Sequence, residues 1–128
     1  MIKIKSVYKV PEKYDGFRIL VDRLWPSGLS KDELKLDLWI KDVAPSNDII
    51  ILLNNSEKWD EFRENYLDEL KGKNNLIKQL KILEKFNHIL TLVYSDNDNE
   101  HNNAIVLLEL LKKPQKQVRM SVGRIHGS

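Results

Sequence analysis

The chain contains no cysteine, only three histidines and no long hydrophobic segment. The absence of cysteine excludes disulfide frameworks, thiolate-ligated zinc, iron–sulfur clusters and cysteine nucleophiles, and it is typical of a reducing intracellular setting. No apolar run approaches the length of about 18 residues that can span a bilayer, and residues 1–5 alternate lysine with apolar residues where a signal peptide would be continuously apolar. We therefore expect a soluble, cytoplasmic protein.

The composition that remains is that of one ordinary globular domain. The 128 residues are 41% hydrophobic and 31% charged, a balance that supports one core in a chain too short for two typical domains. The net charge of +2 is unevenly distributed, because residues 112–128 carry five positive charges and no negative one, which leaves −3 for residues 1–111. We divide the chain into a domain over 1–111 and a basic tail over 112–128. Gly127 and Ser128 are a common cloning remnant, which leaves the native extent of the tail open.

Four segments have the pattern of β-strands. Residues 2–8 alternate apolar and polar side chains, as a half-exposed strand does. Residues 18–25 and 89–94 contain continuous apolar runs typical of buried strands. Residues 36–43 also predict a strand, because Pro45 would stop a helix early.

Helical periodicity occupies the middle and the later part of the chain. Apolar side chains recur at three- and four-residue steps through residues 59–70 and again through 76–83, which predicts two amphipathic helices. Residues 104–111 are apolar almost all round and predict a buried helix across one face of the sheet. Ser30 and Glu33 have the spacing of a capping box for a short helix. Buried strands that alternate with helices predict a single three-layer α/β domain, with a small, mainly parallel sheet flanked by helices.

Polar side chains gather where the predicted strands end. Ligands of open α/β sheets bind outside the carboxyl ends of the strands. We predict His101 and Asn102 in the first turn of the last helix, capped by Asp98, where the positive end of the helix dipole favours an anion. We therefore expect a crevice that binds a small ligand with a phosphate or carboxylate group. Its predicted ligand-binding residues are Arg23, Lys41, Ser46, Tyr94 and Asn102, its walls are Trp25 and Trp39, and its candidate catalytic acid or base residues are Asp22 and His101.

Several of these residues also have a purely structural interpretation. Asp22 and Arg23 can form an architectural ion pair, Lys41 can be an ordinary solvated charge, and His101 can be a capping or surface residue. The sequence has no phosphate-binding glycine loop, no G-x-S-x-G elbow and no H-E-x-x-H motif, and its histidines lack metal-ligand spacing. We therefore predict no metal and no cofactor.

Five sequence blocks resemble those of a known protein family and occur in the same order. The blocks are RILVDRLWPSGLSK at 18–31, DLWIKDVAPS at 37–46, WDEFR at 59–63 with Tyr66 and Glu69-Leu70, TLVY at 91–94, and His101-Asn102 with Ala104. Together they resemble the YeaO-like proteins, the domain-of-unknown-function family numbered 488. The resemblance covers residues 2–111, and it implies a small α/β domain whose biochemical activity is not established.

Three positions depart from the pattern of that family. Ser27 stands where the family's W-P-R-G turn has arginine, residues 54–56 stand where a His-Asp pair usually precedes the amphipathic helix, and Asn97 replaces a frequently basic residue. If these positions form an anion site in the family, the resemblance implies a weakened, altered or inactive site here.

Three hypotheses about function follow from the sequence. The first is a YeaO-like protein that binds a small anionic ligand, with acid/base chemistry left open. The second is a non-catalytic interaction protein whose basic tail binds nucleic acid or an acidic partner. The third is a degenerate family member. The sequence leaves open whether the protein is an enzyme and what its oligomeric state is.

Overall fold

The structure of the protein, a computed structural model, describes residues 1–113. These residues form a four-stranded sheet and five α-helices, which confirms the predicted α/β class. Residues 114–128 lie outside the described residues, so the binding of the basic tail to nucleic acid or an acidic partner stays a prediction. None of the described helices is long and apolar enough to cross a membrane.

All strands of the sheet run parallel, in the order β1-β4-β2-β3. They are β1 (Ile2–Ser6), β2 (Phe17–Leu20), β3 (Leu38–Trp39) and β4 (Leu90–Tyr94). In the centre, Leu92 of β4 is in register with Ile4 of β1 on one side and with Ile19 of β2 on the other. All five residues of β4 are buried, as its continuous apolar sequence predicts.

Three long helices pack together on one face of the sheet. They are α3 (Trp59–Lys71), α4 (Asn74–Asn87) and α5 (Asn103–Lys112), and they confirm the two predicted amphipathic helices and the predicted buried helix. Phe62, Leu80 and Leu107, one from each helix, are fully buried in the core cluster that includes Leu90 and Leu92 of the sheet. Each buried side chain of this size contributes about 1.5–3 kcal/mol, so this face holds most of the apolar stabilisation.

The opposite face of the sheet has a thinner cover of loops and the one-turn helix α1 (Lys31–Leu34). A second, smaller cluster of buried apolar residues lies there, made of Val7, Leu20, Leu34 and Val93. The predicted capping box is confirmed, because the Ser30 hydroxyl accepts the Glu33 N–H at 3.1 Å and the Glu33 carboxylate accepts the Ser30 N–H at 2.8 Å. The remaining short helices are α2 (Asn47–Ile50) and 3-10 turns at Lys13–Asp15, Lys41–Val43, Ile51–Asn54 and Ser56–Lys58.

All four strands are shorter than the sequence predicts. The strand predicted over 2–8 ends at Ser6, the strand predicted over 89–94 begins at Leu90, and the other two lose more residues. The strand predicted over 18–25 ends at Leu20, with one further ladder-like bond from the Val21 N–H to the Val93 carbonyl at 3.1 Å. The strand predicted over 36–43 is reduced to β3, and a 3-10 turn follows from Lys41. The reason is the length of the partner. β2 ends at Leu20, so its pairing with this segment stops after the bond from the Ile40 N–H to the Leu20 carbonyl at 3.0 Å.

Candidate functional site

A cavity of about 420 Å³ opens at the carboxyl edge of β2 and β4. Its position is the one that open α/β sheets use for ligands, and its volume falls in the range of small-molecule sites, roughly 300–1,000 Å³. The loops after β1, β2 and β4 line it together with α2, its following turn and the start of α5. The lining residues are Tyr8, Asp22, Arg23, Leu24, Trp25, Pro26, Ser27, Ala44, Pro45, Asn47, Ile50, Leu53, Asn54, Ser95, Asp96 and Asn103.

Asp22 connects the ends of two strands and the start of a helix. One of its carboxylate oxygens accepts the Ser95 N–H at 2.9 Å and the Ser95 hydroxyl at 2.5 Å, and the other accepts the Asn103 side-chain N–H at 3.1 Å. Burial raises the pKa of Asp22, and the bonds from Ser95 and Asn103 oppose that rise. The Asp22 carboxylate therefore links Ser95 and Asn103 through hydrogen bonds, and these three residues form the floor of the cavity.

Arg23 reaches from the end of β2 to the segment before α2. Its Nη2 donates to the Ala44 carbonyl at 3.2 Å, and its Nε lies 3.4 Å from the Pro45 carbonyl. None of the ion pairs within residues 1–113 includes Arg23, so no carboxylate of this part of the chain pairs with its guanidinium. The alternative interpretation, an architectural ion pair between Asp22 and Arg23, is thus wrong for this part of the chain. Carbonyl oxygens orient the guanidinium without neutralising its charge.

Two tryptophans form and support one wall of the cavity. Trp25 lines the cavity, and its indole N–H donates to the Leu29 carbonyl at 2.7 Å. Trp39 does not line the cavity, but it packs edge-on against Trp25 with the ring centroids 5.4 Å apart. The indole N–H of Trp39 donates to the Asp22 carbonyl at 2.7 Å, so Trp39 supports both the wall and the floor.

Lys41 and Ser46 lie near the cavity without lining it. The ammonium group of Lys41 sits over the Trp39 ring, 4.2 Å from its centroid, in a cation–π contact. The backbone N–H of Ser46 donates to the Glu69 carboxylate at 3.0 Å and links the segment before α2 to α3. The structure does not bring the Lys41 ammonium and the Arg23 guanidinium together around this cavity.

The residues predicted around the last helix also take other positions. Tyr94 is buried in the core, where burial raises the pKa of its hydroxyl. α5 begins at Asn103, so His101 and Asn102 precede the helix, and the prediction that they belong to its first turn is wrong. Asn102 itself caps α5, since its side-chain oxygen accepts the Ile105 N–H at 2.9 Å.

His101 does not line the cavity, and its ring packs against Trp59 of α3. Its ring centroid lies 4.7 Å from that of Trp59, and its Nδ1 lies 3.4 Å from the Asp98 carboxylate. Asp98, which we predicted to cap the last helix, instead accepts the N–H groups of Glu100 and His101 at 2.9 and 3.0 Å within the loop. Asp22 and His101 are therefore not both part of the lining of one cavity.

The sequence prediction missed several residues of the cavity. Asn103 is the clearest case: it is buried, and its amide donates to Asp22 and to the Val21 carbonyl at 3.1 Å. The sequence signal that could have identified Asn103 is a polar residue at the start of a helix predicted to be buried, because buried polar groups need hydrogen-bond partners. Two of the positions that depart from the family pattern, Ser27 and Asn54, also line the cavity.

A second, larger hollow of about 640 Å³ lies between α3, α4 and the end of α5. Its charged residues include Lys71, which pairs with Asp68 at 3.4 Å, and Lys81, which donates to the Lys113 carbonyl. It is remote from the strand ends, and we place the candidate site at the smaller cavity. Within residues 1–113, no group of three or more histidine and acidic side chains is arranged to hold a metal ion.

Comparison with known proteins assigns the chain to a family. A family model described as DUF488-N3i, the inactive DUF488-N3 subclade, matches residues 1–124. The uncharacterized protein YeaO of Escherichia coli is 40% identical over 112 residues, which span 87% of this chain and 96% of YeaO. The uncharacterized proteins Mb3100c of Mycobacterium bovis and Rv3073c of Mycobacterium tuberculosis are each 33% identical over 111 residues, or 86% of this chain and 92% of each relative. No solved structure matches the chain. The resemblance to the YeaO-like proteins is confirmed, and the chain belongs to the DUF488 family.

Proposed function

We propose that this protein binds a small ligand with an anionic group in the cavity at the carboxyl edge of the sheet, with Arg23 as the residue that holds the anion. The observation that carries the proposal is the state of the Arg23 guanidinium. It lines the cavity, it is oriented by the Ala44 and Pro45 carbonyls, and no carboxylate of residues 1–113 pairs with it. A half-buried guanidinium without a counter-ion attracts carboxylate or phosphate oxygens.

The start of α5 adds to the attraction of an anion at this place. Asn103, the first residue of α5, lines the cavity, and a helix of 10 residues carries partial positive charge at its N-terminus. This effect is worth about 0.3–1 kcal/mol near a protein surface, so it assists Arg23 and does not replace it.

Binding without catalysis is the form of the proposal that the site supports best. The three hydrogen bonds that the Asp22 carboxylate accepts from Ser95 and Asn103 join strand ends to the start of α5, so the described contacts give this carboxylate a structural role. His101, the other candidate acid or base, does not line the cavity. The description of the matched subclade as inactive agrees with a binding role.

A thermal-shift experiment tests the proposal with inorganic phosphate and acetate as probes, against sodium chloride at equal ionic strength. We expect both probes to raise the melting temperature of the wild type more than that of Arg23→Gln, each relative to its own ligand-free state. A ligand at 100 times its Kd stabilises the folded state by about 2.7 kcal/mol.

Lys41→Gln is the matched control, since it removes one positive charge beside the cavity without altering its lining. We expect this variant to keep the wild-type shift. Phosphate also stabilises proteins by exclusion from their surfaces, an effect that all three proteins share. Equal shifts in wild type and Arg23→Gln, or no shift beyond that of chloride, would refute the role of Arg23.

A further inference from the structure

The cavity contains charges of both signs that do not pair with each other. Asp96 lines it together with Arg23, and within residues 1–113 neither forms an ion pair. Asp96 is half-buried, and one of its oxygens accepts the Asp98 N–H at 2.8 Å. Unlike Asp22, which accepts three hydrogen bonds from its neighbours, Asp96 accepts this single bond in the described region. The cavity thus has an unneutralised cation and an unneutralised anion.

The same cavity has an extensive apolar surface. Trp25 forms one wall, while Ile50 and Leu53 of α2 and its following turn contribute apolar surface from another element. Leu24, which directly follows Arg23, also lines the cavity although its side chain is 78% exposed. Covering apolar surface contributes about 25 cal/mol per Å², so a ligand with an apolar body would gain affinity from these side chains.

We propose that the ligand is a small zwitterion of the amino-acid type with a large apolar side chain. Its carboxylate would bind Arg23, its ammonium group would bind Asp96, and its side chain would cover Trp25, Ile50 and Leu53. This inference rests on the proposed function and names the class of ligand. A cavity of about 420 Å³ is large enough for such a molecule.

Electrostatics favours a zwitterion over a simple anion at this site. The Asp96 carboxylate in the same cavity repels an anion that approaches Arg23, and the repulsion increases with the charge of the anion. An ammonium group on the ligand converts the carboxylate of Asp96 from a repulsive neighbour into a binding partner. Arg23 and Asp96 then serve as matched recognition groups for one ligand of zero net charge, while the Asp22 carboxylate is held by hydrogen bonds from Ser95 and Asn103.

Isothermal titration calorimetry with four probes tests this inference. L-Phenylalanine carries all three recognition features, 3-phenylpropionate lacks the ammonium group, 2-phenylethylamine lacks the carboxylate, and glycine lacks the apolar side chain. We expect phenylalanine to bind at least about tenfold more tightly than each of the others, because every truncation leaves a protein group without its partner.

Variants assign each feature of the ligand to its residue. Asp96→Asn should weaken phenylalanine at least about tenfold and leave 3-phenylpropionate unchanged or improved, while the new amide oxygen can still accept the Asp98 N–H. Leu53→Ala should weaken phenylalanine and leave glycine unchanged. Glu100→Gln is the control, because it removes an acidic side chain of the same loop that is exposed and does not line the cavity.

The outcomes separate this inference from the proposed function. If 3-phenylpropionate binds as tightly as phenylalanine and needs Arg23, the anion site stands and the zwitterion is refuted. The zwitterion is likewise refuted if phosphate or acetate binds at Arg23 and phenylalanine does not. If neither phenylalanine nor any of the anionic probes binds, both proposals fail. Loss of phenylalanine binding in Glu100→Gln to the same degree as in Asp96→Asn would refute the assignment of Asp96.

Discussion

Asp22 ties three parts of the fold together through one carboxylate. Its three hydrogen bonds join the end of β2 to Ser95 after β4 and to Asn103 at the start of α5. The Asp22 carbonyl also accepts the Trp39 indole N–H, which extends the connection to β3. A residue that we predicted as a candidate acid or base therefore has a clear structural task, and its titration should be visible in the stability of the fold.

We predict that ionisation of the Asp22 carboxyl group lowers the free energy of unfolding. Burial raises its pKa above the ordinary aspartate value of 3.8, so the folded state holds the proton more tightly than the unfolded state does. The contribution of Asp22 to the free energy of unfolding is therefore highest at low pH and falls as the pH rises from the ordinary value through the raised one. An asparagine side chain at this position cannot lose a proton, so the stability of Asp22→Asn relative to wild type should increase with pH across this range.

Urea unfolding at several pH values between 3 and 7 measures this difference. Subtracting the two profiles removes the titration of all other carboxyl groups, provided that the substitution leaves them unchanged. A difference that is constant with pH, or one that shifts in favour of the wild type as the pH rises, would contradict the raised pKa of Asp22.

Among the secondary-structure elements, the connection into β2 depends on a glycine. Gly16 has a φ of +65° and a ψ of −133°, a conformation that residues with a side chain avoid. A Cβ atom at this position would collide with the carbonyl oxygen and the Cβ of Ile89, next to β4. The Phe17 N–H donates to that same Ile89 carbonyl at 2.9 Å, so the clash falls where β2 begins to pair with β4.

We expect Gly16→Ala to destabilise the protein more than Gly28→Ala. Gly28 also has a positive φ, +79°, but a Cβ there would meet nothing within 4 Å. Gly28→Ala should cost about 1–2 kcal/mol for the left-handed backbone alone. Gly16→Ala carries a similar conformational cost and a further overpacking cost of about 1–3 kcal/mol. Urea unfolding of both variants measures the difference, and equal losses would contradict the tight contact with Ile89.

The elements show where sequence reasoning succeeds and where it fails. The helices α3 and α4 were predictable, because a 3.6-residue apolar period depends only on one helix facing one core, and α5 was predictable because its segment is apolar almost all round. The length of β3 was not, because it depends on where its partner β2 leaves the sheet. The wall formed by α2 and its following turn was also missed, because Ile50 and Leu53 lie in short helical segments without a sustained period.

The candidate site divides in the same way. Asp22, Arg23 and Trp25 directly follow a buried strand, so the rule that ligands bind at strand ends was sufficient to place them at the cavity. Lys41 and His101 were predicted to line the cavity but do not. The side chain of Lys41 contacts the ring of Trp39, and that of His101 contacts the ring of Trp59. Contacts of this kind join distant parts of the chain, and neither composition nor spacing indicates them.

Considered as one body, the domain is stabilised differently on the two faces of its sheet. The helical face is apolar, whereas the opposite face contains a buried ionic network around Asp15, which is 1% exposed. The carboxylate of Asp15 contacts the Arg18 guanidinium at 2.8 Å and the Lys5 ammonium at 3.1 Å, and it accepts the Glu12 N–H at 2.9 Å. Arg18 in turn donates twice to the Leu34 carbonyl, at 3.1 and 2.8 Å, so the network joins β1, β2 and α1.

We predict that Asp15→Asn costs about 3–5 kcal/mol at neutral pH, because it leaves the Arg18 charge buried without its partner. Burial by itself would raise the pKa of Asp15, but the Glu12 N–H, Lys5 and Arg18 together lower it below the ordinary value of 3.8. The folded state therefore binds this proton more weakly than the unfolded state does. The stabilisation by Asp15 is present above the ordinary value and is lost as the pH falls through the lowered one.

The pH dependence of Asp15→Asn should thus be opposite in sign to that of Asp22→Asn. Urea unfolding should show the deficit of Asp15→Asn shrinking as the pH is lowered below about 4, where the wild type also loses the charge. Glu12→Gln is the matched control, because Glu12 contacts the same Lys5 at 2.8 Å from an exposed position, where solvent screens the pair. A deficit as small as that of Glu12→Gln, or one that grows on acidification, would mean that the ionic network does not stabilise this face of the sheet.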